Sequence, residues 1–218
     1  LTAATDTGVS DSDNLTNNPT PTITGNTEAG ATVDVRVGNT SAGTTTADGS
    51  GDWSFTFAAS DLSEGANAVD IIVSDAVNTS TASADLTITL DTTAPTANAD
   101  TSGTATEGGA ATNLGGLNVT GNDGGGTAGT DPVSAVAGSA ANVATAVAGD
   151  NGGLFTVNAD GTVSFDPNGD FDALAAGATT TTTVAVTVRD QAGNTDTADL
   201  TVTVTGINDA PTATDPAD

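Results

Sequence analysis

Five residue types never occur in this sequence: Cys, His, Lys, Met and Tyr. Without Cys there are no disulfides and no zinc–thiolate sites. Without His the usual transition-metal ligand and the commonest general base are missing. Without Lys the only cations are Arg36 and Arg189. Two cations are too few to neutralise a phosphate backbone or an anionic bilayer, which argues against nucleic acid and membrane surfaces as partners. Aromatics are scarce, one Trp and five Phe. No apolar run approaches the ~18 residues of a spanning helix, so direct membrane insertion is not expected. No signal-peptide pattern is present, and the opening at Leu1 reads as the start of a fragment of a longer chain.

Acid is what the chain has in excess. It carries 28 Asp and Glu for a formal net charge of −26. Residues 1–95 hold thirteen acids and one Arg, and residues 96–218 hold fifteen acids and one Arg, so both halves share the charge. All but three of the acids are Asp. Asp is the shorter side chain, favoured in turns and in rigid oxygen cages for calcium. A salt-adapted surface would use Glu as freely and spread the acids along strands, whereas here they crowd into expected loops. Each half has a thin core of Val, Ile, Leu, Ala and a few rings, and such small domains are marginally stable. Uncompensated acidic repulsion weakens them further, which is a physical reason to expect bound cations.

The periodicity is that of strands. Val33, Val35 and Val37 alternate with polar residues, as do Trp53, Phe55 and Phe57, and Leu86, Ile88 and Leu90. The second half repeats the pattern in Val184, Val186 and Val188 and in Leu200, Val202 and Val204. Turn signals separate the runs at Asp48-Gly49, Asn122-Asp123-Gly124, Asp160-Gly161 and Ala192-Gly193-Asn194. A single helical turn is the most that 171–176 allows. Short strands and frequent turns in two halves predict an all-β fold of two tandem Ig-like, Greek-key β-sandwiches in an extended array. Each half ends in a strand, a tight acidic loop and a last strand, followed by a Pro-containing exit at Pro95 and at Pro211. The boundaries drawn are 1–95 for the first sandwich, 96–211 for the second, and 212–218 for a linker to a further domain.

The first half resembles the bacterial Ig-like repeats of giant biofilm-type adhesins. The residues that carry this are Thr5–Asp11, Pro21–Gly25, Ala47–Trp53 and Asp91–Pro95. The second half resembles the cadherin-like, VCBS-type repeats of the same adhesins and of related RTX-type proteins, through Asn158–Phe165, Asp190–Asn194 and Ile207–Pro211. The resemblance implies a bacterial cell-surface protein, extracellular after type I secretion, with calcium-stiffened repeats. The first unit departs from the pattern at Ala76-Val77-Asn78, where the hairpin loop lacks one residue and a Gly. The Gly-rich nonapeptide repeats of RTX tails are absent.

Strand parity sorts the acids. With seven strands alternating in direction, Asp6, Asp11, Asp13, Asp61, Glu64 and Asp91 fall at the C-terminal pole of the first sandwich. Asn122, Asp123, Asp131, Asp160, Asp190, Asn194 and Asp196 fall at the N-terminal pole of the second. Carboxylates so crowded need a cation, and calcium takes six to eight oxygens from carboxylates, amides and carbonyls. Asp91, Asp100, Asp123, Asp190 and Asn194 are the first candidates for a Ca2+ site at the junction. A second set, Glu107, Asp170, Asp172, Asn208 and Asp209, belongs to the C-terminal pole of the second sandwich; Glu107 and Asn208-Asp209 stand where the resemblance places linker ligands. Asp75 and Asn78 would serve a preceding domain.

An enzyme is not expected: no nucleophile elbow, phosphate loop or His-based site is present, and Asp123-Gly-Gly-Gly126 lacks a following Lys. The function expected is a calcium-binding spacer of a surface adhesin. Its partners are then neighbouring repeats of the same chain, with a host or surface ligand bound elsewhere in the full protein, and strong self-repulsion keeps it a monomer in dilute solution. The alternative is a module gripping a glycan, peptide or ice near the adhesin tip. Against it, Trp53 reads as core and Thr179–Thr183 as a polar strand entrance.

Overall fold

The computed structural model describes residues 1–124 and 133–209, with the backbone alone for 102–104, 113, 115 and 116. It divides into two compact units. The first comprises Leu1–Ala94 together with the loop Asp190–Asn194. The second comprises Pro95–Gly124 and, of the described residues, 133–189 and 195–209. Both are all-β. Among the described residues, no helix is long and apolar enough to cross a membrane.

In the first unit a five-stranded sheet has the order β1 (Leu15–Thr16), β7 (Leu86–Leu90), β6 (Gly65–Ser74), β3 (Thr32–Val37), β4 (Thr40–Thr46). It packs on a two-stranded sheet of β2 (Thr22–Asn26) and β5 (Asp52–Thr56). The alternation in the sequence is the cause. Val33 and Val35 are fully buried, while Asp34 between them and Arg36 after them face outward. From the opposite sheet Ile23, Trp53 and Phe57 close the core. The hairpin joining β3 to β4 turns on Gly38 and Asn39, both at positive φ (55° and 69°), as a two-residue turn between twisted strands requires. Arg36 lies opposite Asp70 in register and grips it through two hydrogen bonds of 2.6 and 2.8 Å.

β7 begins at Leu86, the first residue of its alternating run. The segment before it follows β6 through serine hydroxyls instead: Ser80 Oγ accepts Val73 N and Ser83 Oγ accepts Ile71 N, each at 3.0 Å.

The second unit has two four-stranded sheets. One runs β10 (Val133–Val136), β14 (Thr179–Arg189), β15 (Thr195–Thr205), β8 (Asp100–Thr106). The other runs β11 (Ala146–Ala148), β12 (Leu154–Val157), β13 (Thr162–Asp166), β9 (Thr112–Asn118). β14 and β15 pair without interruption from Thr179–Thr205 to Arg189–Thr195. Phe155, Phe165 and Phe171 form a ring cluster with centroids 4.9 and 6.4 Å apart, roofed by Val184, Val186, Leu200 and Val202. The helical turn allowed at 171–176 is absent. Asn168 and Gly169 take positive φ (55° and 75°), and the chain closes two reverse turns there, Asp170 N on Pro167 O and Leu174 N on Phe171 O. Phe171 is thereby drawn into the core, 4 % exposed.

Trp53 is a core residue, with its indole laid over Gly25, its cross-strand partner. A Cβ on Gly25 would fall inside the ring's van der Waals envelope, whereas one on Gly49 would meet nothing within 4 Å. Gly25→Ala is expected to cost about 1–3 kcal/mol through overpacking, and Gly49→Ala under about 0.5 kcal/mol. Urea unfolding followed by the fluorescence of the single Trp measures both.

Candidate metal centre

The acids at the loop ends are held in two ways. Most accept backbone amides. Asp48 Oδ1 takes the amides of Ser50 and Asp52, and Asp13 Oδ1 takes Leu15 N. Asp75 takes Val77 N and Asn78 N, and those two bonds, with the Asn78 bond the larger, hold its carboxyl below the usual range. Asp160 is held low likewise, first by the Thr162 hydroxyl and then by its amide. These are turn geometries in which the carboxylate substitutes for backbone acceptors.

Among the described residues, three carboxylates instead keep a buried oxygen with no hydrogen-bond donor: Asp6 Oδ1, Asp123 Oδ2 and Glu107 Oε2. Asp6 sits in the first unit, 4 % exposed, with its other oxygen accepting Asn14 N at 3.0 Å. In the same unit Asp91, 2 % exposed, has its amide on Thr16 O, its Oδ1 accepting Thr93 N and its carbonyl accepting Asn194 Nδ2 at 2.8 Å. Asp190, also 2 % exposed, is occupied within its own loop. Its Oδ1 accepts Gly193 N and Asn194 N, and its Oδ2 accepts Asn194 Nδ2. Glu64 closes this pole by accepting the amide and hydroxyl of Thr92 and the hydroxyl of Thr93. Asp11 and Asp13 stay exposed.

At the start of the second unit, Asp100 and Asp123 lie close together. Asp123 Oδ1 accepts Asn98 N at 2.7 Å, and Asn98 Nδ2 reaches Asn122 O at 2.9 Å. Asn122 Nδ2 returns to Ala99 O at 3.4 Å. Asp100 is turned inward, 9 % exposed. Burial first, and the charge of Asp123 second, push its carboxyl up to about 6. Asp196 on the same unit goes the other way, held low by Ala97 N and then Thr197 N. Also in the second unit, Glu107 is 2 % exposed. Its Oε1 accepts Ile207 N at 2.7 Å, next to the exposed Asn208 and Asp209. Asp170 is fixed elsewhere, its Oδ2 accepting Gly153 N. Asp131 lies outside the described residues.

No three acidic side chains among the described residues gather into a set that could hold a metal ion alone. The donors that are present still fit a hard cation, since buried anionic oxygens stand beside amide and main-chain carbonyls, and calcium accepts all of these together with water. Asn98 was not a candidate from sequence. Its place two residues before Asp100 and just after Pro95 was the available signal.

The raised Asp100 value sets a pH dependence. Below about 3.8 the group is protonated folded and unfolded; above about 6 it is ionised in both. The folded state therefore holds the extra proton between these limits, and stability is lost as pH rises through them. In chelator, Asp100→Asn is expected to raise stability at neutral pH by on the order of 1 kcal/mol after solvent screening, and to change little near pH 4. Calorimetry at the two pH values checks this; an equal gain at both would rule out the ionised pair as the cause.

Residues 1–92 match the family described as bacterial Ig-like domain, and residues 92–203 match the family described as bacterial Ig domain. Among solved structures the chain is similar to a 1.5-MDa bacterial ice-binding adhesin studied for retention on the host cell surface. Identity is 24%, the TM-score 0.46, and the match covers 92% of this chain and 62% of that one. It is also similar to a Ca2+-stabilized adhesin that helps an Antarctic bacterium reach out and bind ice, at 24% identity and TM-score 0.45, covering 88% and 46% of the two chains. A third similar structure is Drosophila N-cadherin EC1-4, at 16% identity and TM-score 0.35, covering 81% and 41%. The chain thus spans less than two thirds of the length of each. No curated protein matches it.

Proposed function

This chain belongs to the bacterial Ig domain family, and from that premise we propose that it is a calcium-binding spacer of a secreted bacterial surface adhesin. The observation that carries the reading is the set of three buried carboxylate oxygens without a donor, on Asp6, Asp123 and Glu107. A buried anionic oxygen left unpaired is costly, and a bound cation removes that cost. Each of the three lies at a loop end of a sandwich. Asp6 has Asp91 and Asn194 in its unit, Asp123 has Asp100 and Asn122, and Glu107 has Asn208 and Asp209 following Ile207. Backbone carbonyls and water complete each Ca2+ shell, in keeping with the small number of carboxylates per site. Sites of this kind in extracellular modules bind at ~10⁻⁴–10⁻³ M. The chain is then loose in a low-calcium cytosol, where type I secretion begins, and stiff outside, with stability added by mass action.

In this role the segment is non-catalytic. Its partners are the adjoining repeats of its own protein, the surface ligand is carried elsewhere in that protein, and the isolated segment is a monomer in dilute solution because of its net charge of −26.

Thermal unfolding with and without ~1 mM calcium, the upper end of that affinity range, tests the reading, with magnesium as control. A calcium-specific rise of several degrees is expected, reduced by Asp123→Asn and by Glu107→Gln, each removing one orphaned oxygen. No rise, or an equal one with magnesium, would sink the calcium spacer and leave the acids as a solubilising surface.

A further inference from the structure

One face of the second unit departs from the chemistry of the rest of the chain. Along β14 every outward position from Thr179 to Thr187 is Thr except Ala185, while Thr182, Val184, Val186 and Val188 point inward and are buried. Along β15 every outward position from Thr195 to Thr205 is Thr except Asp199. β8 adds Thr101 and Thr106, in register with Thr201 and Thr205. Neighbouring hydroxyls bond across the strands, Thr183 with Thr201 at 3.1 Å and Thr187 with Thr197 at 2.9 Å. The charged outward side chains of β14 and β15 are Arg189 and Asp199, one of each sign. A chain with a net charge of −26 thus keeps one broad sheet face at no net charge.

We propose that this threonine face is a contact between two copies of the chain, packed sheet against sheet. Net charge selects the occupant. Approach through the acidic loop ends sets carboxylates against carboxylates, whereas here the Coulomb cost is near zero. The hydroxyls already satisfy one another in pairs, so the face gives up little when water leaves it. An isologous, two-fold arrangement that sets Arg189 of each copy on Asp199 of the other places the Thr187–Thr197 pair at the axis. Three strands ~4.8 Å apart and about eleven residues long offer at most ~500 Å2 per copy, or ~1,000 Å2 in all. That is the lower limit for a specific interface. The contact is weak for one segment and becomes effective when many are held side by side on a surface.

Sedimentation over about 10 μM to 1 mM, at an ionic strength of ~0.15 M where long-range repulsion is screened, reads the association. A reversible dimer is expected in the upper part of that range. Thr181→Asp, which places an acid on the exposed face, is expected to weaken it at least tenfold. Thr44→Asp adds the same charge on exposed β4 and is expected to leave it unchanged, with melting curves confirming that both variants fold. The absence of native Cys gives a second readout, in which Thr197→Cys oxidises to a disulfide dimer faster than Thr44→Cys. A chain that stays monomeric at ~1 mM, equal loss in both Asp variants, or equal cross-linking rates would each overturn the proposal. So would a monomer that held ice or an insoluble polysaccharide through this face.

Discussion

The placement of negative charge constrains everything else in this molecule. Twenty-eight acids face two arginines, and Arg36 is committed to a single partner, Asp70, across β3 and β6. Salt bridging therefore cannot neutralise the surface. The chain relies on exposure and on backbone amides, which hold Asp48, Asp75, Asp160 and Asp190 in tight turns. The same residues that balance the charge shape the loops between strands. Asp suits this double duty because its short side chain reaches an amide two to four residues ahead.

Amide capture also divides the acids by role. A carboxylate with both oxygens bonded has little left for a cation, and Asp190 is the example, despite its burial and its place in an acidic loop. Asp6, Asp123 and Glu107 each give one oxygen to an amide and keep the other buried and free. Burying half of an anion without a partner works against folding, and the elevated Asp100 beside Asp123 is a second sign of the same imbalance. The strands carry fewer charges. Val, Leu, Ile and Phe fill most inward positions, and Thr fills most outward positions of β14 and β15, where Arg189 and Asp199 are the charged exceptions.

Sequence alone was enough for the strands and their faces. Period-two alternation around Val33, Trp53, Val184 and Leu200 dictates which side chains are buried, because a β-strand has only two faces. The family resemblance and the placement of Trp53 in the core followed from the same local patterns. The single turn of helix at 171–176 did not form, because Asn168 and Gly169 at positive φ turn the chain before a helix can start.

Only the tertiary structure decided which acids are buried. Asp11 and Asp13 lie in the same acidic stretch as Asp6, yet they are exposed while Asp6 is buried. The difference comes from Asn14, whose amide draws Asp6 inward across a loop. Asp100 lies on a strand, and its neighbour Asp123 is brought to it by the Asn98 and Asn122 hydrogen bonds. Alternation in the sequence shows that Thr181, Thr197 and Thr201 point outward. Strand order and register, fixed by long-range pairing of β8, β14 and β15, are what assemble them into one face of no net charge. The sequence of each strand determines the direction of its side chains, but the neighbours that share a burden of charge are chosen by contacts between residues far apart in the chain.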